Sequence, residues 1–124
     1  MSNVGIITGS AGGVGRVTAE RFAKDGWDLV LVDVVDSVNE VAAEVAKTSG
    51  RKAVAVKTDI TQEANLTPID AALRQVGGQL KFLGLVAAVL QKVGPIETLE
   101  LVEWDRVFNI NIRANVMLIK HFAQ

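Results

Sequence analysis

Apolar positions along the chain fall into short runs separated by stretches with helical spacing. Val4-Gly5-Ile6-Ile7-Thr8 is brief, β-branched and followed by glycines, which predicts a buried strand. From Gly13 to about Gly26 the residues Val14, Val17, Phe22 and Ala23 recur at helical spacing, and Gly26 stops the helix. Asp28-Leu29-Val30-Leu31-Val32-Asp33 is a continuous apolar run between two acids. A strand covered on both faces has this pattern, so it points to a parallel sheet. Val38, Val41, Ala42, Val45 and Ala46 make a helical stripe that Gly50 ends.

Ala53 to Val56 reads as a third strand. Thr61 is expected to cap a helix carrying Leu66, Ile69, Leu73 and Val76, with Pro68 near its first turn and Gly77-Gly78 closing it. Phe82 to Val89 is predicted as a fourth strand, and Gly94-Pro95 marks a loop. Residues 103–124 are predicted as one last helix, roughly 33 Å long. Trp104, Val107, Phe108, Ile112, Val116 and Ile119 form one broad apolar stripe on it, extended by Ile110, Met117 and Leu118. A helix apolar nearly all round is normally buried on both sides. One side is therefore expected on the sheet and the other against a partner. The order βαβαβαβα implies an open, doubly wound α/β domain with right-handed crossovers.

Composition narrows the chemistry. The 124 residues make one domain, 1–124, and 49% hydrophobic against 22% charged residues is a globular balance. A formal net charge of -1 gives no basic footprint for nucleic acid or an anionic membrane. No apolar stretch is long enough to span a bilayer. The chain has 0 Cys, so disulfides, thiol nucleophiles and cysteine metal sites are excluded, and no metal site is expected. With no cysteine and no signal segment, a cytoplasmic setting is the default expectation. The single His, His121, lies near the end of the chain, where a lone His is usually exposed, and is not expected to be catalytic. The Tyr count is 0, so no tyrosine mechanism can be run by these residues alone.

The richest segment is Thr8-Gly9-Ser10-Ala11-Gly12-Gly13-Val14-Gly15, between a strand and a helix. Gly9 permits a tight turn, Gly13 lets backbone approach a pyrophosphate, and Gly15 lets the helix pack close to the strand. The helix start supplies free N–H groups and partial positive charge for phosphates. There is no G-x-x-x-x-G-K-[ST], which argues against a nucleoside triphosphate loop. Asp33 ends the second strand, where a carboxylate can accept both ribose hydroxyls of an adenosine and repel a 2′-phosphate. No Arg or Lys lies in the loop before Gly15, and Arg16 reads as a surface residue. NAD is therefore expected over NADP.

In these features the chain resembles the N-terminal half of a short-chain dehydrogenase/reductase, over nearly all of its length. T-G-x-x-x-G-x-G at Thr8 to Gly15 carries most of the likeness. Asp33 is similar to the acid of NAD-preferring members. Asp59-Ile60-Thr61 resembles the D-[VI]-[TS] after the third strand, which implies contact of the Asp side chain with the adenine amino group. Gly94-Pro95-Ile96 and Glu103-Trp104-Asp105 resemble the lead-in to the family's fifth helix. Asn111 falls where the family has an active-site Asn that holds a water in a proton relay. The resemblance implies a Rossmann-like fold of four strands plus the fifth helix. It implies a dinucleotide held by Gly9, Ala11, Gly12, Gly13, Val14, Gly15, Asp33, Asp59, Ile60, Ala87 and Ala88. It also implies a homodimer formed through the 103–124 helix.

Two departures stand out. The family usually carries N-N-A-G after the fourth strand, whereas this chain has Leu85-Val86-Ala87-Ala88-Val89-Leu90. The side-chain hydrogen bonds that tie this strand to its neighbours are expected to be lost, leaving Ala87 and Ala88 to offer backbone groups. Members are also about twice as long. The resemblance puts the catalytic Ser and the Tyr-x-x-x-Lys in the half not represented, and Asn111 is then an orphan of the relay. The expectation is a truncated NAD(P)-dependent oxidoreductase that binds its dinucleotide without turnover alone. The alternatives are a non-catalytic NAD-binding or subunit-pairing module and a structural remnant without ligand. A methyltransferase also pairs a glycine loop with a strand-end acid, but the glycine spacing argues against it.

Overall fold

Two neighbouring strands are apolar at almost every position because helices cover both faces of the sheet they share. These are β1 (Asn3–Thr8) and β2 (Asp28–Asp33). In the computed structural model, which describes residues 1–123, they lie at the centre of a four-stranded parallel sheet of order β3-β2-β1-β4. The outer strands are β3 (Ala53–Lys57) and β4 (Gln79–Leu85). Successive side chains alternate between faces. Ile6, Val30 and Val32 enter a core with Leu66, Ile69, Ala72 and Leu118, while Ile7, Leu29 and Leu31 enter a second with Ala19, Val41 and Val45.

The helices that complete these two cores are α1 (Gly13–Lys24) and α2 (Val38–Ser49) on one face. On the other are α3 (Thr67–Val76) and the end of the last helical segment. Gly50 closes α2 in a left-handed conformation, φ 71°, as a glycine stop should. After β3 the chain returns across the sheet to place β4 on the far side of β1, next to β1 itself. In doubly wound sheets the crevice at such a reversal, beyond the carboxyl ends of the strands, is where ligands bind.

Four local expectations need correction. The third helix begins at Thr67 rather than at Thr61, because a 3₁₀ turn, Glu63–Leu66, intervenes. Thr61 donates instead to Asp59 Oδ1, 2.7 Å away. Pro68 does sit in the first turn of α3, where its missing N–H costs nothing. The fourth strand runs Gln79–Leu85 and not 82–89, starting directly after Gly77-Gly78 and ending as the backbone of Val86 and Ala87 turns to Thr8. The last helix is α4 (Leu101–Phe108), a π-turn (Asn109–Arg113) and α5 (Ala114–Phe122), so it starts before residue 103 and is broken in register. Its predicted end, Gln124, lies outside the described residues. Finally, His121 is half-buried, with Nε2 2.9 Å from the Asp70 carboxylate, which ties α5 to α3.

Of the apolar stripe on this segment, the core takes Ala114 and Leu118. Trp104, Phe108, Ile112, Val116 and Ile119 remain exposed, Val116 at 59%. No helix among the described residues is long and apolar enough to cross a membrane.

Candidate functional site

The turn after β1 requires glycine at both its ends. Gly9 has φ 65°, and a Cβ there would lie 2.8 Å from the Ala87 backbone. A Cβ on Gly15 would lie 2.0 Å from the Gly9 carbonyl oxygen, so the first turn of α1 packs directly on the loop that precedes it. Gly12 and Gly13 differ from these two. Nothing lies within 4 Å of where their Cβ atoms would be, and Gly13 has φ 54°. Gly12 precedes α1 in an extended conformation, no side chain caps the helix, and no acid lies in its first turn. This helix start is therefore open backbone N–H with partial positive charge.

The loop is tied to the end of β2. Ser10 is buried, and its N–H and hydroxyl both donate to the Val32 carbonyl, at 3.3 and 3.2 Å. The Ala11 N–H donates to Asp33 Oδ2 at 3.0 Å. The same carboxylate turns back on its own strand end, with Oδ1 accepting the Val34 N–H at 2.7 Å.

On the other side of β1, the departing backbone of β4 is held by two side chains. The buried Thr8 hydroxyl accepts the N–H groups of Val86 and Ala87, both at 3.1 Å. Asn111 closes a two-way amide clamp on Val89: its Nδ2 donates to the Val89 carbonyl and its Oδ1 accepts the Val89 N–H, both at 2.8 Å. The ties to this segment run from Thr8 and Asn111 to its backbone and not from its own apolar side chains. Thr8 was the first letter of the glycine motif, and its β-strand position facing β4 was the available signal.

These pieces enclose a cavity of about 1020 Å³ at the carboxyl ends of β1, β2 and β4. That is at the upper end of the size of small-molecule sites. Of the residues expected to bind a dinucleotide, Gly9, Ala11, Gly12, Val14, Gly15, Asp33, Asp59, Ile60, Ala87 and Ala88 line it. Gly13 and Asn111 do not. Asn111 acts on the wall through Val89, and the neighbouring Asn109 and Ile110 reach the cavity instead. Val34, Val35, Val86 and Val89 also line it and were missed: Val34 and Val35 are exposed loop valines with no distinguishing pattern, and Val86 and Val89 read as strand.

The cavity's charged lining is Asp33, Asp59, Asp105 and Arg106. Arg106 is engaged by Glu103, at 2.7 and 3.0 Å. That hydrogen bond holds the Glu103 carboxyl below its usual range and Arg106 above its own. Asp59 Oδ1 accepts from the Thr61 N–H and hydroxyl. Any phosphate in this cavity would therefore meet the α1 start rather than a free cation. Among the described residues, no group of three or more His, Cys, Asp or Glu could hold a metal ion.

The model of the short chain dehydrogenase family matches residues 3–124. This chain belongs to that family. Short-chain dehydrogenase/reductase eriH of Hericium erinaceus is 36% identical to it over 124 residues, covering 95% of this chain and 48% of that protein. Among solved structures, NAD+-bound xylitol dehydrogenase is similar with a TM-score of 0.87 at 26% identity, covering 95% of this chain and 45% of that one. L-sorbose reductase from Gluconobacter frateurii, complexed with NADPH and L-sorbose, gives 0.86 at 27% identity, covering 96% of this chain and 45% of that one. The chain spans about half the length of the curated relatives it matches.

Proposed function

We propose that residues 1–124 act as one dinucleotide-binding unit of an NAD(P)-dependent oxidoreductase, with NAD preferred over NADP. The observation that carries this reading is the uncapped start of α1, bare of a side chain at Gly12, facing one cavity with the Asp33 carboxylate. A Cβ-free cradle beside open N–H groups suits a pyrophosphate, and a strand-end acid suits an adenosine ribose. Val34, Val35 and Ser37 line the cavity after Asp33 and bring no positive charge for a 2′-phosphate. When bound, the nicotinamide supplies hydride chemistry toward a carbonyl/alcohol pair.

The chain's own contribution is binding and orientation. The α1 start and the Gly9–Gly15 loop hold the pyrophosphate, Asp33 takes the ribose, Asp59 and Ile60 bound the adenine, and Ala87 and Ala88 offer backbone groups to the cofactor. Asn111 keeps the 86–90 backbone in place through Val89. With 0 Tyr in the sequence, we infer that these residues bind without turning substrate over alone.

Titration of NADH into the purified chain, followed by nicotinamide fluorescence and Trp quenching with NADPH in parallel, tests the reading. Saturable NADH binding that NADPH fails to match supports it. A folded chain that binds neither overturns it.

The exposed apolar row Trp104, Phe108, Ile112, Val116 and Ile119 favours a companion role, pairing of two copies through the 101–122 segment. Light scattering at high micromolar concentration is expected to give a dimer mass, and a monomer mass would remove the pairing from the account.

A further inference from the structure

The Asp33 carboxylate is largely committed to the protein's own backbone. Its Oδ2 accepts the Ala11 N–H at 3.0 Å, and its Oδ1 accepts the N–H groups of Val34 at 2.7 Å and Val35 at 3.4 Å. An ionised carboxylate offers about four acceptor positions, so about one is left for a ribose hydroxyl. The Ala11 bond spans 22 positions and joins the glycine loop to the end of β2. Beside it, Ser10 donates twice to the Val32 carbonyl. Of the acceptors that hold this loop to β2, the Asp33 carboxylate is the side chain, and a charged acceptor makes the stronger kind of bond.

We infer that Asp33 is a positioning residue for the glycine loop, holding Ala11 against β2 before any ribose arrives. The inference rests on the dinucleotide reading of the cavity and changes what substitution there should do. An acid that only rejects a 2′-phosphate could be replaced to admit NADPH. An acid that also holds the loop cannot be removed without weakening the pyrophosphate cradle for both cofactors.

Two readouts separate these roles. The first is amide hydrogen exchange in the ligand-free chain. Asp33→Ala is expected to speed exchange at Ala11 about tenfold, the loss of one charge-assisted bond, while Val30 and Val32 keep their protection. Asp33→Asn retains an acceptor for the Val34 N–H, so it should preserve Val34 and release Ala11. The second is calorimetric binding of 2′,3′-dideoxy-ADP, which has a pyrophosphate and no ribose hydroxyl. Asp33→Ala is expected to weaken it about tenfold. Unchanged exchange at Ala11, or unchanged affinity for dideoxy-ADP in a wild-type chain that binds it, overturns the inference. A wild-type chain that binds neither NADH nor dideoxy-ADP overturns the dinucleotide reading, and Ala11 exchange still decides the positioning role.

Discussion

At the β1–β2 corner every strand residue but the outermost is buried, and the glycine loop meets backbone at the limit of contact at Gly9 and Gly15. Across β1, at β4 and the helices after it, burial is partial: α4 has no buried residue. The two regions share one sheet, one family pattern and one cavity, yet they are built differently. The corner is held by close packing, where a single Cβ decides whether backbone can approach backbone. The β4 side is held by isolated polar ties from Thr8 and Asn111, with an apolar outer surface left to solvent. The contrast shows that a site wall resting only partly on the core, through Val86 and Ala87, can be placed by two polar side chains. The corner adds its own polar ties, Ser10 to the Val32 carbonyl and the Ala11 N–H to Asp33, on top of that close packing.

Substitutions on each side sharpen the contrast. The largest effect is expected from Gly15→Val, because the new Cβ meets a carbonyl oxygen that cannot move without moving the β1 turn. A loss of about 4 kcal/mol or more in urea unfolding is the expected outcome. Stability within about 1 kcal/mol of wild type would mean the corner is looser than its geometry. Leu31→Ala, fully buried between α1 and α2, should cost about 3 kcal/mol in the same assay. Asn111→Ala leaves the Val89 N–H and carbonyl without their partner and should cost about 2 kcal/mol. Exchange should rise at Val89 while Leu31 stays protected, the signature of a wall held by one clamp.

A smaller, pH-dependent effect is expected at Asp28, buried at the start of β2. Burial alone would raise its carboxyl, but hydrogen bonds from Ser2 and the Lys52 N–H and the nearby charges of Arg51 and Lys52 outweigh it, leaving the group below its usual 3.8. A depressed folded value means stability is present above about pH 4 and lost as pH falls through the folded value. Acid titration of unfolding should show this slope in wild type and a shallower one in Asp28→Asn. The smallest effect belongs to Val116→Ser on the exposed face of α5, no more than about 0.5 kcal/mol in stability. If two copies pair there, the variant should shift light-scattering mass toward monomer.

The legibility of the fold follows the same division. β1, β2, α1 and α2 were readable because covered strands are continuously apolar and glycine stops are local signals. The ends of β4 and the division of the last helix were not. Val86 to Leu90 is as apolar as a strand, but its backbone is diverted to the Thr8 hydroxyl and the Asn111 amide, partners that lie far off in sequence. The π-turn at Asn109–Arg113 leaves no mark in an apolar stripe that continues through it. Within the cavity lining, the sequence singled out Gly9, Gly12, Gly15 and Asp33. The service of Thr8, and the turn of Asp33 toward Ala11, depend on tertiary approach.

The most direct test of the account is amide chemical-shift mapping of the labelled chain titrated with NAD. Saturable shifts at Gly12, Val14, Asp33, Asp59 and Ala88, with Trp27 and Val45 unmoved, are the predicted result. Shifts confined to the 101–122 surface, or none in a folded chain, would contradict the placement of a dinucleotide at the β1–β2 corner.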